Sequence, residues 1–266
     1  MRALHRIAVP FVAAATLLAG CGESSPSSNA SGTPATTDAA APAASASAKP
    51  TAGSAELFEA AIADLATKPY AFLTKAKSGP QVKGSVDPTA GNIAQVADIP
   101  AAKLKASVTV VGKDYYAKLD GVQIPGAANK WIHFEPGKLQ SLNKLLINTA
   151  QDPTGLTLIA KAIITAKKDG TKITGTFDAT KVGDGVGGIG ADSVAALGDK
   201  AKAIPFTATL DAQGKLTALS FTVPEHGEEK ADTMTTTYSA VGTAVKIAKP
   251  TPVVEANEQI YAGLNG

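Results

Sequence analysis

Few residues in this chain could do chemistry by type and spacing alone. Gly183–Gly188 reads GDGVGG, a G-x-G-x-x-G run after a strand-like segment and before a helix-like one. On a βαβ unit that pattern cradles a dinucleotide pyrophosphate. Here the neighbouring segments read as antiparallel strands and no βαβ unit follows, so the context argues against a nucleotide. Glycines also permit the φ changes of a moving loop. Gly183, Gly185, Gly187 and Gly188 are therefore expected to form either a portal loop or a plain flexible connection. His133 alternates with Trp131, and His226 lies in the polar run EHGEEK beside Glu225, Glu228 and Glu229. Two histidines and no cysteine beyond residue 54 do not make a structural zinc set. The His226 loop could meet a cation, with a solvated loop as the simpler reading. Serines and aspartates abound, but no G-x-S-x-G appears. A triad would need His133 or His226, and no spacing favours either, although triads assemble in space. No catalytic residue, metal ligand or cofactor is expected, and the chain is not read as an enzyme.

The one cysteine, Cys21, stands in LLAGCGESS. Before it come Arg2, His5 and Arg6, an apolar run from Ile7 to Leu18, and the small residues Ala19 and Gly20. A charged start, a short apolar middle and a small-residue cleavage site describe a signal peptide. The run is shorter than the roughly 20 residues a spanning helix needs. Leu18–Cys21, LAGC, resembles the bacterial lipobox, in which the cysteine carries diacylglycerol and becomes the mature N-terminus. The alternative is an ordinary signal peptide followed by a free thiol. Each buried CH₂ of an acyl chain contributes ~0.8 kcal/mol, so two or three chains on Cys21 would hold the protein at the membrane surface.

From Gly22 to Ser54 the sequence is Ser, Ala, Pro, Thr and Gly, almost without large apolar residues. It cannot bury a core and is expected to be a disordered tether, with a reach of ~30 Å. The motif NAS at Asn29–Ser31 fits an N-glycosylation acceptor, which carries little meaning in a bacterial lipoprotein. Loss of Arg2 and Arg6 with residues 1–20 leaves 23 basic and 23 acidic side chains, so no basic field invites nucleic acid.

The folded part is expected over residues 55–255, with 256–266 as a C-terminal tail. The roughly 210 residues after the tether can bury a core without disulfides. Ser54 is a plausible N-cap for a helix carrying Leu57, Phe58, Ala61, Ile62 and Leu65 on one face, ended by Pro69. Period-two alternation follows, loose over 70–87 and clean over Lys103–Val111. Further strands are expected at Tyr115–Gly121, through Trp131, over 163–179, and in AIPFTATLD, KLTALSFTVP, DTMTTTYSA and TAVKIAKP. Lys168-Asp169-Gly170 and LDAQGKL mark hairpins. Helical spacing recurs at Leu139–Ala150 and Asp192–Lys202, with a short apolar segment at Leu156–Ala160. Hairpin-linked strands with one wet and one dry face make antiparallel sheet. About ten strands with helices at three places predict an α+β fold, one curved antiparallel sheet whose helices cover the concave apolar face. An α/β fold would need long helices between strands throughout.

DYYAKLDG…ANKWIHFEPGKL, FTATLDAQGKLTALSFTVP and YSAVGTAVKIAKPTPVV resemble the actinobacterial LppX/LprA/LprF/LprG lipoprotein family, and more distantly the LolA/LolB-like half-barrel carriers. The resemblance spans roughly residues 55–255 and the lipobox. It implies a half-barrel with helices over an apolar cavity that holds an acylated lipid or glycolipid, and a role in moving that lipid across the envelope. It also implies attachment at the extracytoplasmic face of the cell membrane and a membrane transporter as partner. On this reading the cavity is lined by Val108, Val110, Tyr115, Leu119, Phe177, Phe206, Leu210, Leu219 and Phe221, with Leu142, Leu145 and Leu146 from a covering helix and Trp131 in the core or at the rim. Each of these is also an ordinary core residue if the interior is filled. A cargo-free envelope lipoprotein that works through its surface is the alternative, and a hydrolase is a third.

Overall fold

The computed structural model describes residues 53–122, 124, 126–139, 152–183 and 189–265. The chain builds two antiparallel series of strands. The first holds β1 (Tyr70–Ala76), β2 (Gln81–Asp87), β3 (Asn92–Ile99), β4 (Leu104–Val111), β5 (Asp114–Asp120) and β6 (Trp131–Phe134). The second holds β7 (Ile163–Asp169), β8 (Lys172–Phe177), β9 (Ile204–Leu210), β10 (Leu216–Val223) and β11 (Asp232–Ser239). Pairing of β1 with β11 joins the two series, and β12 (Val253–Glu255) adds to β6 in parallel. The result is one curved, unclosed sheet of twelve strands in the order β12-β6-β5-β4-β3-β2-β1-β11-β10-β9-β8-β7. The α+β expectation holds.

Among the described residues four α-helices accompany the sheet: α1 (Ser54–Ile62), α2 (Leu156–Ala162), α3 (Ala191–Leu197) and α4 (Glu258–Asn265). α1 packs on β7 and on α2. Phe58, Ala61 and Ile62 are its buried face, and Leu65 follows it into the core. Ser54 is not the N-cap. It is the first helical residue, and its buried hydroxyl accepts a hydrogen bond of 3.0 Å from the Ala166 amide of β7. That bond falls beside a bulge at Ile163/Thr165 that frees an amide from the ladder. The helix ends at Ile62, short of Pro69.

Three further elements depart from expectation. β3 carries Gln95 on its dry side, which breaks the apolar alternation and hides the strand from a pattern search. TAVKIAKP is not a strand. Residues 240–252 instead run from β11 towards the far edge of the sheet, with the Gly242 amide bonded to the Pro69 carbonyl at 2.8 Å and the Trp131 amide to the Pro252 carbonyl at 3.0 Å. Residues expected as a tail form α4, whose Tyr261 ring meets Phe134 edge-on at 5.9 Å and whose hydroxyl accepts from the Glu135 amide at 2.8 Å. The helix expected over Leu139–Ala150 falls almost wholly outside the described residues.

Candidate functional site

Strand register assigns every side chain to a face, because successive residues alternate. One concave row runs Phe134, Tyr115, Val110, Ile93, Val86, Tyr70. The next runs Ile132, Ala117, Val108, Gln95, Gly84, Phe72, Tyr238. A third runs Leu119, Ala106, Ala97, Val82, Thr74, Thr236, Leu219, Ala208, Ile173. Phe221, Phe206 and Gly175 belong to a fourth. The concave surface is thus apolar from β6 to β8, and its few polar members are satisfied or hidden. The Thr74 and Thr236 hydroxyls, for example, bond each other at 2.8 Å.

The residues expected on the dry side are placed there, with one exception. Val108, Val110, Phe177, Phe206, Leu210, Leu219 and Phe221 are buried in one core cluster, while Tyr115 and Leu119 are half-buried on the same face. Trp131 is the exception and is corrected: it lies on the outer, convex face. Ile132 and Phe134 take the inward positions of β6 and are 2% exposed each. In the run WIHF both alternating pairs contain an aromatic ring, so the pattern cannot choose, and the register against Tyr115 and Ala117 does. Leu142, Leu145, Leu146, Gly185, Gly187 and Gly188 lie outside the described residues, as does Cys21 with its flanking segments. Gly183 is described, with φ +78° and open space around it.

The concave face is uneven. Over β8–β10 it is filled by rings: Phe206 meets Phe58 of α1 edge-on at 5.7 Å and Phe177 at 6.4 Å, and Phe177 meets Phe221 edge-on at 5.6 Å. Over β2–β5 it carries many short side chains, Val82, Ala97, Ala106, Val108 and Ala117 with Gly84, beside the larger Ile93, Gln95, Tyr115 and Leu119. Gly84 is required where it stands, since a Cβ there would lie 2.6 Å from the Phe72 ring. Between the halves sit Tyr70 and Tyr238, with ring centroids 6.0 Å apart. Burial, then the negative charge of Asp152, pushes the Tyr70 hydroxyl well above the usual phenol range, and burial does the same to Tyr238.

A cleft of about 760 Å³ opens beside the end of α1, with Leu65, Leu216 and Tyr238 of the core in its walls. Asp64 at its rim is clasped by Lys68 at 3.2 Å and Lys215 at 3.4 Å, and its carboxyl is held below the usual range, chiefly by Lys68.

Neither histidine is set up for nucleophilic chemistry. His133 Nδ1 faces Glu255 at 2.7 Å and Nε2 faces Asp114 at 3.2 Å, so both nitrogens are occupied by carboxylates. The ring stacks on Tyr116 at 5.0 Å and fastens β12 to the sheet. His226 donates from Nδ1 to the Pro224 carbonyl at 2.9 Å. Among the described residues no group of His, Cys, Asp and Glu could hold a metal ion, and no helix is long and apolar enough to cross a membrane.

No family model matches the chain, and no curated protein matches it. Among solved structures it is similar to a LolA superfamily protein from Nitrosomonas europaea. Identity is 11%, coverage is 70% of this chain and 91% of that one, and the TM-score is 0.27.

Proposed function

We propose that this chain is a lipoprotein, anchored through Cys21 at the extracytoplasmic face of the cell membrane, that binds an acylated lipid or glycolipid on its concave face and passes it on. The observation that carries the reading is the apolar concave surface of β2–β5, where valine and alanine side chains and Gly84 stand beside Ile93, Tyr115 and Leu119, opposed to a half that holds the fold with three phenylalanine rings. An acyl chain laid on such a floor leaves water at ~25 cal/mol per Å² buried. It needs no hydrogen-bond code, and selectivity follows from the length and volume of the space. The lipobox-like LAGC, the tether composition and the resemblance to the LppX/LprA/LprF/LprG lipoproteins support the anchored form. A tether of ~30 Å lets the domain reach the bilayer surface without leaving it.

The test uses the full chain carrying Cys21→Ala, purified without detergent so that neither an anchor nor micelles contribute lipid. Organic extraction and mass spectrometry are expected to yield acyl lipid, and a fluorescent fatty acyl probe to be taken up. Val108→Trp is expected to abolish uptake with the fold retained. A chain that holds no lipid and takes up no probe overturns the carrier and leaves the cargo-free envelope protein. Incorporation of labelled palmitate into the wild-type chain, lost in Cys21→Ala, tests the anchor separately.

A further inference from the structure

The outer face of the sheet carries a groove of about 550 Å³ that has no part in the lipid reading. Its floor is made of outward side chains from four adjacent strands: Ala71 on β1, Ser85 on β2, Ala94 on β3 and Ser107 on β4. These residues are all short, so the floor is a trench close to the backbone. Lys83 stands on one side, and Trp131 of β6 closes the far end. No residue of β5 is in the lining, and the register sets its outward Lys118 beside Ser107, between the trench and Trp131. The volume falls within the ~300–1,000 Å³ of ordinary ligand sites.

We propose that this groove binds a neutral polysaccharide chain, with Trp131 as its stacking platform. Three observations point to that occupant. Trp131 is the sole tryptophan of the chain, it is half-buried on the outside rather than in the core, and its indole N–H has no hydrogen-bond partner among the described residues. A ring with an apolar face and a spare donor matches a sugar, which has a C–H face and a hydroxyl rim. The Ser85 and Ser107 hydroxyls in the trench also lack partners among the described residues. An apolar ligand would leave them unpaired, at a cost that a sugar's hydroxyls remove. Lys83 is the only charged side chain in the lining, so the groove offers a polyanion little beyond one contact.

The sole tryptophan makes the test direct. The full chain is titrated with cellotetraose, chitotetraose, mannotetraose and maltotetraose while Trp131 emission is followed, and retention in gels containing the parent polysaccharides is measured beside it. One of the four is expected to give a saturable emission change and retention. Trp131→Ala is expected to lose retention, Trp131→Tyr to recover part of it, and Ser107→Leu, which fills the trench, to weaken it at least tenfold. Circular dichroism and acyl-probe uptake monitor the fold and the opposite face, so loss of sugar binding with uptake intact is read at this groove alone. No response to any of the four up to millimolar concentration, or retention unchanged in Trp131→Ala and Ser107→Leu, overturns the proposal.

Discussion

The two halves of the concave face are built from the same element, an antiparallel strand with one dry side, yet they are filled differently. Over β8–β10 the rings of Phe177, Phe206 and Phe221 stand among Ile173, Ala208 and Leu219 on the dry side, and Phe58 from α1 interlocks with Phe206, which in turn meets Phe177. Over β2–β5 most of it is alanine, valine and glycine, with Ile93, Gln95, Tyr115 and Leu119 among them. Rings packed edge-on exclude other occupants and fix the position of a covering helix. Short side chains leave more of the thickness of the interior to the atoms packed on them, and Ala97, Ala106, Val108 and Ala117 are each no more than 6% exposed. The first arrangement suits an anchor for the fold, and the second suits a floor for a flexible apolar chain.

Substitutions of matched kind can break or sharpen that contrast. The largest effect is expected from Phe206→Ala, which removes a ring held by two neighbours and costs about 3–5 kcal/mol in denaturant unfolding. Val108→Ala, on the other half, removes two carbons and costs about 1–2 kcal/mol. Comparable losses at the two sites would mean that both halves are packed alike. Next in size is Gly175→Ala in the aromatic half, where a Cβ would fall on the Thr165 carbonyl. The obstacle is backbone at a bulge, so the strand must move. A loss of about 2–3 kcal/mol is expected, and a neutral result would show that β7 can shift there.

The seam between the halves is open to pH. Tyr70 and Tyr238 have their hydroxyls held above the free phenol range by burial. A group whose folded pKa is raised contributes stability that is fully present below the unfolded value, about 10 for tyrosine, and lost as pH rises towards the folded one. Stability is therefore expected to be insensitive to these two groups at neutral pH and to fall steeply above pH ~10. Tyr70→Phe and Tyr238→Phe should each flatten that alkaline limb in a pH series of melting temperatures, and an unaltered limb would refute the assignment. An effect as small as that of Val108→Ala is expected from Ser54→Ala, which takes the acceptor from the half-buried Ala166 amide and costs about 1–2 kcal/mol. The loss should appear as faster amide exchange in α1 and β7 before any change over β2–β5.

Much of this architecture is legible in the chain. The clean alternation of Leu104–Val110 and the hairpin signals at Lys168-Asp169-Gly170 and LDAQGKL appear as strands and turns at those places. β3 was hidden because Gln95 occupies an inward position, where burial tolerates an amide that a pattern search rejects. TAVKIAKP, Thr243–Pro250, reads as a strand because β propensity does not distinguish a paired strand from an extended segment crossing a sheet. Of the candidate lining, the inward side is readable for Val108, Phe206 and Phe221, whose outward neighbours are Ser, Thr or Pro. It was unreadable for Trp131, whose inward rivals are equally apolar.

By itself the sequence determined that the folded part is antiparallel sheet with one wet and one dry face, preceded by a stretch that cannot build a core. Both follow from local chemistry, the period of side-chain alternation and the supply of apolar surface. Only the tertiary structure decided that β1 meets β11, that β12 closes on β6 in parallel, and that the lone tryptophan faces outward. Those outcomes depend on contacts between residues far apart in the chain, where one register wins by the sum of many small packing differences that no short window contains.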